Sequence, residues 1–309
     1  MYPLKFFPIY FNKIWGGRDI ESIKKDAPEG NIGESWELSC HPNGESIISN
    51  GKYKGIKLKE LIKENKKNII GKDISEDKFP ILIKFITAND NLSIQVHPDD
   101  VYAENFENDN GKSEAWYILK VKNNGKIITG LNDVEKHDIK EKIVNGKLES
   151  HLNYTQPKEN ELYYIEAGLI HGIGKGITLL EIQESSDLTY RVYDYNRGRE
   201  LHINKATKVI NEKLKCEKII PKKKIIKNNI CYEFGDFKSF SIKRYDINKN
   251  LLKTSNKDGF NVYICVSGKG VITYMEGTET INLGELVMIP SSLGEYCIIG
   301  NLSLIEVSV

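Results

Sequence analysis

Four residues in strand-like surroundings carry the chemistry most worth following: Gln95, His97, Glu114 and His171. In NLSIQVHPDD the residue types alternate, and residues two apart in an extended strand share a face, so Ser93, Gln95 and His97 point one way and Leu92, Ile94 and Val96 the other. One face is apolar, and the other carries a hydroxyl, an amide and an imidazole in a row. Solvent-facing strands more often carry Lys, Glu or Thr. In GKSEAWYIL, Glu114 opens a strongly apolar strand, an awkward place for a carboxylate without a partner. In AGLIHGIGKGI, His171 lies in a turn bracketed by glycines, which let the backbone bring an imidazole into a crowded interior. Each has an ordinary reading: the outer side of an edge strand, an exposed glutamate at a strand start, a hydrogen-bonded turn histidine. Together, two imidazoles, one carboxylate and one amide oxygen make a ligand set for a borderline divalent ion, with zinc, iron and manganese all chemically possible. His41, His137, His151 and His202 lack comparable context.

Three or four separate strands must converge to bring these residues together, and a barrel interior permits that. Short strand-like runs punctuated by Gly, Asn and Pro recur: ESWELSC, ILIKFITA, LSIQVH, AWYILKV, GKIITGL, ELYYIEA, GITLLEIQ, NVYICVS, GVITYM and GELVMIP. Helical spacing occurs in three places: IKLKELIKEN, with Leu58, Leu61 and Ile62; Asp133 to Asn153, with Ile139, Ile143, Val144 and Leu148; and INKATKVINEKL, with Ala206, Val209 and Ile210. The expected class is mainly β, with a few flanking helices. The Lys-rich tract EKIIPKKKIIKNN lacks interleaved aromatics and reads as a solvated linker rather than a nucleic-acid patch. It sets an expected boundary near residue 225, with a metal-binding domain over residues 1–225 and a jelly roll over residues 226–309. The final segment repeats strand, Gly turn, strand, and contains no histidine, so no second metal site is expected there.

At 309 residues the chain has room for one large domain or two modest ones, on the usual prior of about 100 to 200 residues each. Lys and Arg number 44 against 43 Asp and Glu, so net charge calls for neither nucleic acid nor an anionic membrane as partner. The five cysteines are scattered, odd in number and without a C-x-x-C pair, which reads as reduced thiols rather than a disulfide framework or a thiolate zinc site. The opening MYPLKFFPIYFNKIWGG, with two prolines and an early Lys5, makes a poor signal peptide. No apolar run approaches the roughly 18 to 20 residues of a membrane span. A cytoplasmic location is the resulting expectation. Lys84, in the middle of ILIKFITA, is expensive to bury alone and reads as a site residue or an ion-pair partner.

The runs LSIQVHPDD, KSEAWY, IHG and SSDLTYRVYDYNR, with KIWGG (residues 13–17) and GESWELS (residues 33–39), resemble the signatures of type I mannose-6-phosphate isomerases of the shorter bacterial branch. The resemblance covers nearly the whole chain. It implies cupin (jelly-roll) barrels, one zinc ion per chain held by Gln95, His97, Glu114 and His171, and interconversion of mannose 6-phosphate with fructose 6-phosphate. The chain departs from the longer members by having no room for their large helical insertion. Their R-A-G-x-T-x-K segment is replaced by Arg191-Val-Tyr-Asp-Tyr-Asn-Arg197, so phosphate contacts drawn from it do not carry over.

Aldose to ketose conversion moves a proton between adjacent carbons through an enediol, which requires a polarised carbonyl, a base and an acid. A fixed cation for the enediolate charge is best supplied by Arg191, which the resemblance matches to the family's catalytic arginine; the ordinary reading is an ion pair with Asp187 or Asp194. By the same resemblance Lys112 joins proton transfer or holds phosphate, Ser93 contacts phosphate, and Asp187 is an acidic neighbour on the substrate side. Glu181 and Lys112 are the candidate bases. A hexose phosphate is the expected substrate, with a monomer or homodimer as the working form. Rival readings are a cupin iron oxygenase, a non-catalytic sugar-binding cupin, and an isomerase of a related hexose phosphate.

Overall fold

A computed structural model describes residues 1–75 and 79–309. The chain runs β1 (Ile9–Gly17), β2 (Ile32–Leu38), α1 (Leu58–Ile69), β3 (Ile81–Thr87), β4 (Ile94–Val96), α2 (Asp100–Phe106), β5 (Glu114–Val121), β6 (Ile127–Leu131), α3 (Ile139–Val144), β7 (Leu152–Thr155), β8 (Leu162–Ile165), β9 (His171–Ile173), β10 (Ile177–Glu184), β11 (Tyr190–Tyr193), α4 (Ile203–Val209) and β12 (Lys218–Ile219). It continues through β13 (Lys222–Ile226), β14 (Asn229–Asp236), β15 (Ser241–Thr254), β16 (Asn261–Tyr274), β17 (Gly277–Asn282), β18 (Leu286–Ile289) and β19 (Glu295–Ser308). It gathers into two units, Tyr10–Ser35 with Ile83–Ile219, and Met1–Ile9 with Trp36–Leu82 and Ile220–Val309. The mainly β class expected from the sequence is what forms.

The unit around residues 83–219 is built on two sheets, ordered β1-β2-β3-β10-β5-β8-β12 and β11-β4-β9-β6-β7. One core draws on both: Trp15, Ile86, Trp116, Ile118, Ile127, Tyr163, Ile173 and Leu179 bury their side chains together. The five-stranded sheet therefore turns one face to the seven-stranded sheet. Its other face, with Ile94, Val96, Ile128, Tyr190 and Val192, lies under Ile139 and Ile143 of α3 and Ala206 of α4. The alternation read in this strand is this division for Ile94 and Val96, which lie toward the helices, and for the polar set, which faces into the sandwich; Leu92, expected beside Ile94 and Val96, packs in the sandwich core instead.

The other unit holds a sheet ordered β13-β14-β15-β19-β16-β17, with β18 on β16. Fourteen consecutive pairs join β15 to β19, and the core behind them includes Tyr263, Ile272, Ile298 and Leu304. The Lys-rich tract expected as a linker is partly β13, an exposed edge strand paired with β14. Its lysines suit an edge, because a charged, solvated strand discourages pairing with another chain. The boundary expected near residue 225 thus falls inside a strand.

Two other expectations are revised. The helical stretch from Asp133 to Asn153 is only α3 flanked by single turns at 136–138 and 148–151. Helix α2, whose Asp99 accepts from the Tyr102 amide at 2.8 Å as its N-cap, follows the Pro of HPDD and is too short for its periodicity to stand out. The cysteines are free, as expected. No helix among the described residues is long and apolar enough to cross a membrane.

Candidate metal centre

Strand register assembles the site. Arg191 on β11 lies directly opposite Gln95 on β4, Gln95 opposite His171 on β9, and His171 opposite Thr129 on β6. Residues directly opposite share a face, so one row of side chains crosses four strands on the inner side of the sheet. His171 is therefore not in a turn, as its glycines implied, but opens a strand. The turn just before it uses Gly168, whose φ of +92° favours glycine and whose N–H donates to the His97 carbonyl at 2.9 Å.

Glu114 arrives from the other sheet, opposite Gln183 of β10 and Ile165 of β8. Its approach is fixed by the residues before it. The Gly111 N–H donates to Asp100 Oδ1 at 2.8 Å, the Lys112 N–H donates to the Pro98 carbonyl at 3.0 Å, and the Ser113 N–H donates to Glu184 Oε2 at 2.9 Å. His97, Glu114 and His171 are all buried, with ligand-type atoms within 4.8 Å of one another. Glu114 Oε2 lies 3.5 Å from His97 Nε2, and Oε1 lies 3.6 Å from His171 Nε2.

The tautomers follow from the hydrogen bonds. His97 Nδ1 lies 2.7 Å from the Leu188 carbonyl, and His171 Nδ1 lies 2.9 Å from the Leu169 carbonyl. A carbonyl only accepts, so each Nδ1 carries the proton and each Nε2 aims a lone pair at the carboxylate. Burial lowers the His97 imidazole to about 3 and lowers His171 as well, which keeps both rings neutral. Burial alone would raise the Glu114 carboxyl, but Lys112, with Nζ 3.3 Å from Oε2, holds it well below the usual carboxylate range. Neutral imidazole lone pairs facing an ionised carboxylate leave acceptors facing acceptors. His97 Nε2 and both Glu114 oxygens accordingly have no hydrogen-bond partner. A divalent cation among them satisfies all these atoms at once, so the residues present fit a metal of the borderline class.

Gln95 places its amide nitrogen 3.3 Å from His171 Nε2 and its oxygen toward Ser93 Oγ at 3.3 Å. Exchanging the two ends of the amide, which differ little in size, turns the oxygen toward the cluster. Gln95 thus borders the site, with His97, Glu114 and His171 at its centre.

Lys84 of β3 resolves as an ion-pair partner: its Nζ lies 2.8 Å from Glu181 Oε1 and 4.0 Å from Glu34 Oε2. Burial works against the Lys84 cation, but Glu181, Glu34 and Glu114 together hold its pKa above the ordinary value. Burial and the Glu114 carboxylate push Glu181 up, and its Oε2 accepts from the Trp116 indole N–H at 3.0 Å. With Lys13 Nζ 3.0 Å from Glu34 Oε1, charges alternate across β1, β2, β3 and β10. Asp187 is exposed on the loop before β11. Asp194 is engaged by Arg197 and Arg199 at 2.7 and 2.5 Å, so it does not provide the ordinary pairing considered for Arg191. Arg191 donates from Nη1 to the Glu200 carbonyl at 2.9 Å.

Sequence reasoning missed Gln183, which faces Glu114 with its amide nitrogen fixed on the Glu184 and Ser186 carbonyls and its oxygen free of any hydrogen bond. It also missed Thr129, at the end of the inner row. The signal for Gln183 was present in GITLLEIQ, where two polar residues at spacing two interrupt an apolar strand.

Comparison with known proteins agrees with the geometry. Family descriptions match in two places: phosphomannose isomerase type I, catalytic domain, over residues 4–149, and mannose-6-phosphate isomerase, cupin domain, over residues 232–309. The chain is 33% identical to mannose-6-phosphate isomerase ManA of Bacillus subtilis, over 95% of each chain. It is 40% identical to mannose-6-phosphate isomerase of Streptococcus mutans over 64% of each. The crystal structure of mannose 6-phosphate isomerase from Bacillus subtilis superposes with a TM-score of 0.94 at 32% identity, covering 100% of both chains. The apo form from Salmonella typhimurium shares the fold, with a TM-score of 0.77 at 16% identity over 99% of this chain and 98% of that one.

Proposed function

The chain belongs to the type I mannose-6-phosphate isomerases, and from that premise we propose that it interconverts mannose 6-phosphate and fructose 6-phosphate at His97, Glu114 and His171, with one zinc ion per chain. The observation that carries the reading is the buried set of acceptors left without hydrogens: His97 Nε2 and both oxygens of Glu114. Zinc is the ion the family resemblance implies; two imidazoles and one carboxylate suit it, as they also suit iron. Family membership displaces the oxygenase and non-catalytic alternatives.

A bound divalent ion supplies Lewis acidity that polarises the carbonyl edge of the open-chain sugar. The protein's own groups do the rest. The isomerisation takes a proton from C2 of the aldose and delivers one to C1 of the ketose, while a hydroxyl proton passes between O1 and O2. Arg191, one strand from Gln95 on the same face, offers a permanently charged guanidinium to the enediolate. Lys112 stands against Glu114, where an ammonium proton lies beside the reacting edge. Glu181 is less free to act as the base, because Lys84 and the Trp116 indole engage its two oxygens. Ser93 on the inner face and Asp187 at the loop are assigned to substrate contact. The leucine carbonyls that hold both Nδ1 protons keep the imidazoles in the ligating tautomer.

The test is to strip the protein with a chelator, measure metal content, and follow fructose 6-phosphate formed from mannose 6-phosphate in a coupled assay. Activity is expected to vanish with the metal and return on adding stoichiometric zinc. Full turnover by a metal-free preparation would overturn the reading.

A further inference from the structure

Strand β11 is the edge of its sheet, paired with β4 on one side only. An edge strand leaves outward N–H and C=O groups open, and those of Arg191 are closed by its own chain. After β11 the chain turns at Asp194, where Tyr195 and Asn196 hold φ of 51° and 59° and the Arg197 N–H donates to the Asp194 carbonyl at 3.1 Å. It then returns so that His202 lies beside Arg191. The Arg191 N–H donates to His202 Nδ1 at 3.1 Å, and the His202 N–H donates to the Arg191 carbonyl at 2.8 Å. From the same returning segment, the Glu200 carbonyl accepts from Arg191 Nη1 at 2.9 Å. The main chain of Arg191 and one arm of its guanidinium are thus held, while its Nε, buried and without a hydrogen-bond partner, is left to meet a ligand.

We propose that His202 is a positioning residue for Arg191, its ring nitrogen fixing the strand from which the guanidinium reaches the enediolate. This role rests on the isomerase reading, in which Arg191 faces that charge. A backbone N–H only donates, so His202 Nδ1 is the unprotonated nitrogen and the ring proton sits on Nε2. Burial, and then the Arg191 cation, lower His202 from its ordinary value and keep the ring in this accepting form. Lys205 acts in the same direction, and Glu200 and Glu107 oppose it. No hydrophobic side chain can take the place of the ring nitrogen, because the Arg191 N–H would lose its acceptor at the sheet edge.

The imidazole is itself well seated. His202 immediately precedes α4, its carbonyl accepting from the Ala206 N–H at 2.9 Å, and Ala206 packs with Val96 and Val192. The Tyr190 ring stands 6.2 Å from the His202 ring, centroid to centroid, and the Tyr190 hydroxyl donates to Glu107 Oε1 at 2.7 Å. Lys205 Nζ lies 2.7 Å from the same oxygen, so β11, α4 and the residue ending α2 are tied together around the ring. His202 lacked context in the sequence because its partner lies eleven positions earlier and is reached only through the turn at Asp194. The charge that Arg191 meets develops only as the enediolate forms, so a misplaced guanidinium costs turnover rather than substrate affinity.

The test uses zinc-loaded wild-type protein, His202→Leu, His202→Asn, His202→Gln, Arg191→Met and the double variant Arg191→Met with His202→Leu. It measures kcat and KM for mannose 6-phosphate, zinc content and the unfolding midpoint. His202→Leu should lower kcat by roughly 10- to 100-fold, the scale of a slightly misplaced catalytic group, with KM and zinc content within about twofold of wild type. Asparagine sets an oxygen where Nδ1 stood and should restore most of the turnover, whereas glutamine carries its oxygen one bond too far and should not. If His202 acts through the guanidinium, adding His202→Leu to Arg191→Met should cost less than about twofold more. Wild-type kcat in His202→Leu beside an impaired Arg191→Met, or an equal His202→Leu loss in both backgrounds, would overturn the proposal and leave a merely structural contact. If His202→Leu does not fold, the contrast between His202→Gln and His202→Asn decides in the same way. A zinc-loaded wild type that does not isomerise, or an Arg191→Met variant with unchanged kcat, would instead overturn the reading of Arg191 and the proposal with it.

Discussion

Replacing Glu181 by leucine tests the charged row across the seven-stranded sheet. The Lys84 side chain is 6% exposed and that of Glu181 3% exposed, with Nζ and Oε1 2.8 Å apart. At an effective dielectric constant of 20 this attraction is about 6 kcal/mol, and that to Glu34 at 4.0 Å about 4 kcal/mol. Both figures are gross, because desolvation of the buried ions opposes them. Glu181→Leu removes the nearer carboxylate from buried Lys84, keeps the longer contact to Glu34, and deprives the Trp116 indole of its acceptor. The expected loss is about 3 kcal/mol, the lower end of the usual cost of orphaning a buried partner, because Glu34 remains. The double variant Lys84→Met with Glu181→Leu should regain most of it, since an apolar pair of similar volume is often neutral. Urea unfolding at pH 7 of wild type, both single variants and the double variant gives the cycle. A Glu181→Leu loss below about 1 kcal/mol, or a double variant no better than the single one, would refute a dry, mutually dependent pair.

Two further outcomes follow from the site. In metal-free protein His97, with an imidazole depressed to about 3, and His171, also lowered, are neutral when folded and charge on unfolding below their ordinary pKa of 6.5. Their contribution is therefore present above pH 6.5 and lost as pH falls through each ring's lowered pKa, about 3 for His97, at up to about 1.4 kcal/mol per pH unit for each ring. Glu114, also held below its ordinary value, adds in the same direction at lower pH. A denaturation series showing flat stability between pH 6.5 and 4.5 would contradict this. Gly111→Ala would put a Cβ 2.4 Å from the Asp100 nitrogen and 2.5 Å from the Asp99 carbonyl carbon, both backbone atoms. The segment carrying Lys112 and Glu114 must shift, so zinc affinity should fall by 10-fold or more, on the scale seen when groups supporting metal ligands are disturbed. Competitive chelator titration reads it, and unchanged affinity would show that the loop absorbs the methyl group.

The alternation in Ser93 to His97 was legible because a strand's two faces differ in chemistry wherever one of them is buried. Glu114 was legible as a carboxylate with no business opening an apolar strand unless something held it. The cost of burying Lys84 was also readable, but its partner was not, since Glu181 lies 97 positions away on a strand whose register depends on packing. Helix α2 escaped because seven residues span two turns, too few for periodicity to separate helix from loop. The Lys-rich tract escaped because solvation is equally compatible with a linker and with an exposed edge strand.

By itself the sequence determined which side chains can ligate a metal, which of them share a strand face, and, through its ordered motifs, the family. These are local properties, written in residue type and spacing. The tertiary structure decided that Arg191, Gln95, His171 and Thr129 form one row, that Glu114 meets it from the opposite sheet, and that the His97 and Glu114 acceptors are buried together without hydrogen-bond partners. Register between distant strands is set by burying their apolar faces together, and that sum over the whole sandwich is contained in no single segment.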